Sequence, residues 1–207
     1  MINFLFPGAA ARLAVIRMRR LQSSWLLLVL LFCLALPGSA AAHPHVWVDY
    51  AVTAVFSPKG LDGFRVVWTF DEMFSAQILE VAGFKGGTAS AAQVRKIREA
   101  AFDNLRNHQY FSHLWIDDKD FPVRAVQDFT ARTNGHRLVY EFFIPCVVPV
   151  GAAPRTVGFL NLDRENFAEY TPERQQPLRI VNPAGLSVET QAPTPARPLQ
   201  IRFRAKS

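Results

Sequence analysis

Apolar and polar positions alternate along two stretches of the chain that begin just after residue 45. The first runs from Val46 to Phe56 and the second from Phe64 to Phe70, and both are rich in β-branched and aromatic residues. The connector 57–63 contains proline and glycine. Because alternation with period two and a turn-rich connector are typical of paired strands, this pattern predicts a β-hairpin. On its first strand, His45, Trp47 and Asp49 fall on one face.

Helical periodicity follows the hairpin. Asp71 is the predicted N-cap of a first helix, and Gly83 is its predicted end. Ser90 and Gln93 have the spacing of a capping box at the start of a second helix, which carries an apolar stripe. The sequence therefore predicts two helices directly after the hairpin.

Strand-like patterns return after the second helix. Asn134-Gly135 between two apolar-rich stretches predicts a further hairpin. The order of elements favours an α+β fold, with a mainly antiparallel β-sheet and the two helices inserted after the first β-hairpin. We expect this domain to span residues 43–165, and residues 166–207 to form a Pro-rich irregular segment with a candidate final strand. The predicted later strands cover 110–116, 123–132, 136–144, 155–162 and 199–204.

Residues 1–42 have the parts of a secretory signal peptide. A basic region ends at Arg20, an apolar stretch runs from Trp25 to Leu36, and small residues extend through Ala42. The apolar stretch is shorter than the roughly 20 residues that span a bilayer. We therefore expect cleavage and a periplasmic location rather than a retained anchor, with no stable membrane insertion after the signal is removed.

The positive charge of the chain belongs mostly to this segment. The formal net charge is +6, but residues 1–42 hold four arginines and no acidic residue, which leaves 19 basic and 17 acidic side chains. The charge therefore gives no reason to expect a nucleic-acid partner. Without Cys33, Cys146 is the single cysteine and has no intrachain disulfide partner. Its apolar surroundings predict a buried structural thiol rather than a metal ligand or a reactive group.

Three short motifs, taken in order, resemble the DUF1007 family of bacterial periplasmic proteins. They are His43–Asp49 (HPHVWVD), Trp68–Ser75 (WTFDEMFS) and Tyr110–Leu114 (YFSHL), and the resemblance covers most of residues 43–165. It implies that the protein is the periplasmic component of an ABC-type or transition-metal transport system and is associated with nickel/cobalt-type exporters.

The chain departs from the pattern of this family in two places. Many relatives carry an Asp-rich, EF-hand-like loop between the helices, whereas 83–88 here contains no carboxylate, so we predict no calcium site there. Relatives also tend to have a Tyr-Asp-Pro-like motif at this part of the chain, and of its three residues only the aspartate, Asp163, is present here.

Histidines at a processed N-terminus are the candidate chemistry. Imidazole is largely deprotonated at neutral pH and suits nickel, cobalt, copper and zinc. Cleavage after Ala42 would let the amine and Nδ1 of His43 chelate one ion. Cleavage after Ala40 would place His43 third from a free amine, as in square-planar copper(II) or nickel(II) sites, and cleavage after Ala41 supports neither arrangement well. All three cuts stay open, and the alternative for the histidine pair is a solvated strand entry.

Two ligands bind weakly, so other side chains are needed. The predicted metal ligands are His43, His45, Asp49, Asp71, Glu72 and His113. Asp71 has a competing explanation as a helix cap. His113 is included because a strand beginning at Tyr110 could pair near the first one, whereas His108 and His136 are interpreted as surface histidines.

These features favour a non-enzymatic, metal-binding accessory protein that serves an inner-membrane transporter or exporter. The alternative is a metal-independent interaction module that docks on a membrane transporter component through aromatic residues. A third class, an oxidative copper enzyme built on a histidine brace, lacks a constrained third histidine. Hydrolase and phosphate-loop motifs are also missing from the sequence, so we expect no enzyme.

Overall fold

The structure is a computed structural model and describes residues 46–165, 167–195 and 197–206. The predicted signal peptide, residues 1–42, and the two N-terminal histidines, His43 and His45, lie outside the described residues. The elements of the described chain, in order, are β1 (Val46–Ser57), β2 (Gly60–Phe70), α1 (Glu72–Ala82), α2 (Ala91–Ala101), a kinked 3-10 segment (Asp103–Phe111), β3 (Ser112–Ile116), β4 (Lys119–Phe121), β5 (Gln127–Asn134), β6 (Arg137–Pro149), β7 (Arg155–Asn161), β8 (Ala168–Pro172), β9 (Leu178–Val181), β10 (Leu186–Gln191) and β11 (Leu199–Ala205).

The strands form two sheets. The first has the order β5-β6-β2-β1-β8, with β9 also paired to β1, and the second has the order β10-β11-β7-β3-β4. Among the described pairs, β8 and β9 run parallel to β1 and the others are antiparallel. Both helices follow the β1–β2 hairpin, so the predicted α+β fold with a mainly antiparallel sheet is confirmed.

One face of the first sheet carries the core. Tyr50 and Phe64 pack on Phe159 of the second sheet, with ring centroids 6.5 and 5.4 Å apart. Nearer the end of β2, Trp68 contacts Phe102, the residue that follows α2, at 6.4 Å. In β1 and β2, buried residues alternate with half-buried ones, so the buried residues lie on one face of the sheet. Both the second sheet and the helices cover this face.

The helix boundaries follow their predicted caps. The Asp71 side chain accepts a hydrogen bond from the Phe74 amide, and Gly83 ends α1 in a left-handed conformation. Ser90 and Gln93 form the predicted capping box at the start of α2. Among the described residues, no helix combines the length and apolar character needed to cross a membrane.

Two predicted strands begin later than the sequence indicated. Tyr110 and Phe111 have φ angles of 51° and 46°, so β3 starts at Ser112 rather than at residue 110. Similarly, β5 starts at Gln127 rather than at 123. Asn134 and Arg137 flank the turn of the confirmed β5–β6 hairpin.

The C-terminal part is more regular than predicted. Residues 166–207 contain β8, β9, β10 and β11, where the sequence indicated irregular structure with one final strand. Proline lacks an amide donor and is confined to strand ends and edges. Pro172 ends β8, and Pro177 and Pro183 flank β9. The prolines therefore separate short strands instead of excluding them.

Candidate functional site

The start of β1 is held by backbone contacts on both sides. The Val46 amide donates to the Phe167 carbonyl at 3.1 Å, next to the parallel pairing of Val46 with Ala168. On the other side, the Trp47 amide donates to Asp71 Oδ2 at 2.9 Å, and the Asp71 amide donates to the Trp47 carbonyl at 2.9 Å. The point at which His45 joins the described chain is therefore fixed.

Asp71 serves as a structural connector between this strand start and α1. Its Oδ1 accepts the Phe74 amide at 2.8 Å while its Oδ2 accepts the Trp47 amide. Both carboxylate oxygens thus already satisfy backbone donors that would otherwise be unpaired. The neighbouring predicted ligand, Glu72, is an exposed residue in the first turn of α1.

Asp49 is paired with an arginine. Arg137 Nη2 lies 2.7 Å from Asp49 Oδ2, and the same guanidinium donates to the carbonyls of Thr69 and Phe70 at 3.0 and 2.6 Å. The positive charge of Arg137 already compensates the negative charge of the Asp49 carboxylate, which a metal ion would need as a ligand. We call Asp49, Asp71 and Arg137 the cap cluster; its hydrogen bonds join β1, β2, α1 and β6.

His113 lies in a different sheet from β1. It belongs to β3, which pairs with β4 and β7 in the second sheet, so the prediction that this strand pairs near the first one is wrong. Its Nε2 is 3.1 Å from the Leu162 carbonyl oxygen. Sequence separation gave no information on sheet membership, because both sheets contain strands from this part of the chain.

The predicted ligand set is therefore not assembled from described residues. His43 and His45 lie outside them, and within residues 46–165, 167–195 and 197–206 no three His, Cys, Asp or Glu residues are placed to hold a metal ion together.

A cavity of about 390 Å³ opens beside the start of β1, and we call it the entry groove. Its floor is apolar, and Trp68 and Tyr170 belong to it. Its polar lining comes from the 3-10 segment and from the loop before β8: Asn104, His108, Asp163 and Glu165. The other lining residues are Val46, Phe70, Phe74, Ile78, Ala100, Ala101, Leu105, Phe111, Phe167 and Ala168.

Polar contacts beside this groove connect the two sheets. Trp68 Nε1 donates to Asn161 Oδ1 at 3.2 Å, and Asn161 Nδ2 donates to the Phe111 carbonyl and to Ser112 Oγ, both at 3.0 Å. Ser112 Oγ in turn donates to the Tyr110 carbonyl at 2.9 Å. Two of the motifs noted in the sequence, around Trp68 and Tyr110, thus meet through one buried asparagine.

Comparison with known proteins agrees with these motifs. The profile of DUF1007, described as a protein of unknown function, matches residues 28–205. The chain belongs to the DUF1007 family. An uncharacterized protein of Haemophilus influenzae is 24% identical over 145 residues, which cover 69% of this chain and 68% of that protein.

A second relative matches a shorter stretch. An uncharacterized 15.5 kDa protein in the trpE 3' region of Spirochaeta aurantia is 33% identical over 64 residues, covering 30% of this chain and 46% of its own length. No solved structure matches the chain significantly.

Asp163, the residue that carries over from the Tyr-Asp-Pro-like motif of the family, has a structural role here. Its side chain is 2% exposed and accepts the amides of Glu165, Phe167 and Ala168 at 2.9 to 3.0 Å. Burial, with a smaller contribution from the nearby Asp163 carboxylate, raises the pKa of Tyr170 well above its usual range. Asp163 therefore shapes the loop that leads to Ala168, the residue that pairs with Val46. The Tyr170 hydroxyl stays protonated.

Sequence reasoning missed a His–carboxylate pair at the entry groove. His108 Nδ1 lies 4.0 Å from Glu165 Oε1, and the two side chains are 45% and 59% exposed. The His108 ring stacks on Phe111, with centroids 5.7 Å apart and planes at 28°. No local pattern could reveal this pair, since the two residues are far apart in sequence and meet because β3 and β7, which they flank, pair in the second sheet.

The backbone after His108 adopts a costly conformation. Gln109, Tyr110 and Phe111 have φ angles of 55°, 51° and 46°. Left-handed geometry in a residue other than glycine costs about 1–2 kcal/mol, and such strain persists only where the surrounding structure holds it. The Asn161 contacts to this turn provide that hold, and the turn sets the orientation of His108 and Phe111.

Cys146 is buried, as predicted for a structural thiol. Burial raises its pKa to about 12, so the thiol stays protonated at neutral pH. It lies on β6 and is not among the lining residues of the entry groove.

Proposed function

We propose that this member of the DUF1007 family is an exported periplasmic accessory protein that binds a transition metal through His43 and His45. In this proposal it presents nickel, cobalt, copper or zinc to an inner-membrane transporter or exporter, and it performs no catalysis. The periplasmic location rests on the signal-like composition of residues 1–42.

The observation that carries the proposal is the fixed strand start directly after the two histidines. Val46 is bonded to Phe167, and Trp47 exchanges two hydrogen bonds with Asp71. Ligands joined to a rigid backbone lose less conformational entropy when an ion binds than ligands on a free tail. This arrangement supports the proposal of a defined N-terminal metal site.

The test is metal titration of the protein after export, with its first residue established by intact mass spectrometry. Calorimetry with nickel, cobalt, copper and zinc should show one site for at least one ion, and the His43→Ala/His45→Ala double variant should lose it. His136→Ala, in the exposed β5–β6 turn, is the control and should bind like the wild type.

Two results would overturn the proposal. One is the absence of any binding tighter than about 100 µM, which corresponds to about −5.5 kcal/mol. The other is unchanged binding in the double variant. Metal-independent co-purification with an inner-membrane component would then favour the interaction module.

A further inference from the structure

We propose that the entry groove is a binding site for a small organic ammonium ion. The apolar body of this ligand lies along the aromatic lining of the groove, and its cationic group lies at the end where Glu165 is placed. The site is built from described residues alone and does not depend on the proposed metal binding. The shape, lining, charge and rigidity of the groove define the chemistry of its occupant.

A continuous row of rings lines the groove. Neighbouring rings along this row have centroids 4.7 to 6.2 Å apart. In order, the row consists of Phe74, Phe70, Trp68, Tyr170, Phe111 and His108. The groove volume of about 390 Å³ falls within the range of about 300–1,000 Å³ that is typical of small-molecule sites, which are mostly lined by apolar and aromatic side chains. The lining therefore suits a ligand with an apolar or aromatic body.

The charge of the groove favours a cation. Its described lining residues include the carboxylates of Asp163 and Glu165 and no lysine or arginine. Asp163 is buried, and three backbone amides hold its carboxylate. The field of this carboxylate reaches the row of rings, since it contributes to the raised pKa of Tyr170. A cavity lined by charges of one sign attracts ligands of the opposite sign, so this groove favours cations and disfavours anions.

Two acceptor groups at the groove are open to a ligand. The Glu165 side chain is 59% exposed, and its Oε1 lies 4.0 Å from His108 Nδ1, beyond hydrogen-bond distance. Tyr170 also lines the groove, and its hydroxyl forms no hydrogen bond within the described part of the chain. A primary ammonium group has three N–H donors for such acceptors, and its charge is attracted to the faces of nearby aromatic rings.

Contacts within the protein hold the groove in shape. The left-handed turn at residues 109–111 positions Phe111, and Asn161 Nδ2 donates to the Phe111 carbonyl at 3.0 Å. In the loop before β8, Asp163 accepts the Glu165 amide at 2.9 Å. Because these groups are fixed before a ligand arrives, its binding costs less conformational entropy than binding to a mobile surface.

Titration with three compounds of similar shape and different charge tests the site: cationic 2-phenylethylammonium, neutral 2-phenylethanol and anionic phenylacetate. Nuclear magnetic resonance of the isoleucine methyl groups follows binding to the exported protein, with a chelator present to remove metal ions. We expect the ammonium to shift the signal of Ile78, which lines the groove, with a Kd of about 1 mM or lower, and to leave the core residue Ile144 unshifted. The alcohol should bind about tenfold more weakly, and phenylacetate more weakly still.

Two variants with matched controls locate the ligand. Glu165→Gln should weaken ammonium binding about threefold to fivefold and leave alcohol binding unchanged. Its control is Glu99→Gln, which changes an exposed glutamate of α2 that does not line the groove. Ala100→Phe adds a ring to the groove at an exposed position of α2 and should abolish the Ile78 shift with both compounds. Its control is Ala92→Phe, at an exposed position in the first turn of the same helix.

Three results would overturn this inference. The first is the absence of an Ile78 shift at about 10 mM ammonium, tenfold above the expected Kd. The second is equal affinity for the ammonium and the alcohol, or unchanged ammonium affinity in Glu165→Gln, either of which would leave an apolar groove without a cation site. The third is a wild-type dimer that Ala100→Phe disrupts, which would make the groove a contact between two copies of the chain. Because metal ions are removed, none of these results bears on the proposed metal-binding function.

Discussion

The start of β1 lies between two polar groups that differ in how fully their charges are matched. In the cap cluster, Asp49 has an arginine at 2.7 Å, and Asp71 accepts two backbone amides at 2.8 and 2.9 Å. At the entry groove, the nearest His108 and Glu165 atoms are 4.0 Å apart. A carboxylate with short, well-aligned donors stabilises the fold, whereas a loosely paired one retains lone pairs for a ligand. Asp49 and Asp71 were predicted to be metal ligands, but their hydrogen bonds favour a structural role.

The largest expected effect is on the groove side, at Asp163. Replacing the buried Asp163 with Ala leaves three partly buried loop amides without their acceptor and should lower the free energy of unfolding by about 3 kcal/mol. Urea unfolding measures this change. Asp163→Asn keeps one acceptor oxygen and should lose less. A loss below about 1 kcal/mol would show that the loop does not depend on this carboxylate.

A smaller effect is expected at Asp71. Asp71→Ala removes the cap of α1 and the acceptor for the Trp47 amide, and should lower the free energy of unfolding by about 1–2 kcal/mol. Asp71→Asn keeps one acceptor oxygen and should therefore lose less than Asp71→Ala. Zinc affinity measured under conditions where the variant is folded should change by less than about twofold. A tenfold loss of affinity would reverse the comparison and make the cap cluster the ligand side.

The smallest effect is expected at Asp49. Its ion pair with Arg137 is partly exposed, so Asp49→Asn should reduce the free energy of unfolding by at most about 1 kcal/mol and leave zinc affinity within about twofold. Thermal unfolding and calorimetry measure the two quantities. If Asp49→Asn instead weakened zinc binding strongly, Asp49 would be a ligand of the proposed metal site, and the division between the two sides would fail.

Local features were predicted well because their physics is local. The caps at Asp71 and Ser90 and the left-handed end at Gly83 each depend on residues within one helical turn. The starts of β3 and β5 were predicted less accurately. The left-handed turn before Ser112 is held by Asn161, whose contacts lie far away in sequence. The short strands β8 and β9 depend on parallel pairing with β1, for which a sequence of this kind has no short-range signal.

The sequence by itself determined the α+β order of elements and the helix boundaries, since periodicity and caps act over a few residues. Only the tertiary structure decided which carboxylates are already matched and which side chains line the groove at the start of β1. The physical reason is that charge pairing and cavity formation depend on residues brought together by sheet packing. The two histidines were visible in the sequence, whereas the His108–Glu165 pair became apparent only in the fold.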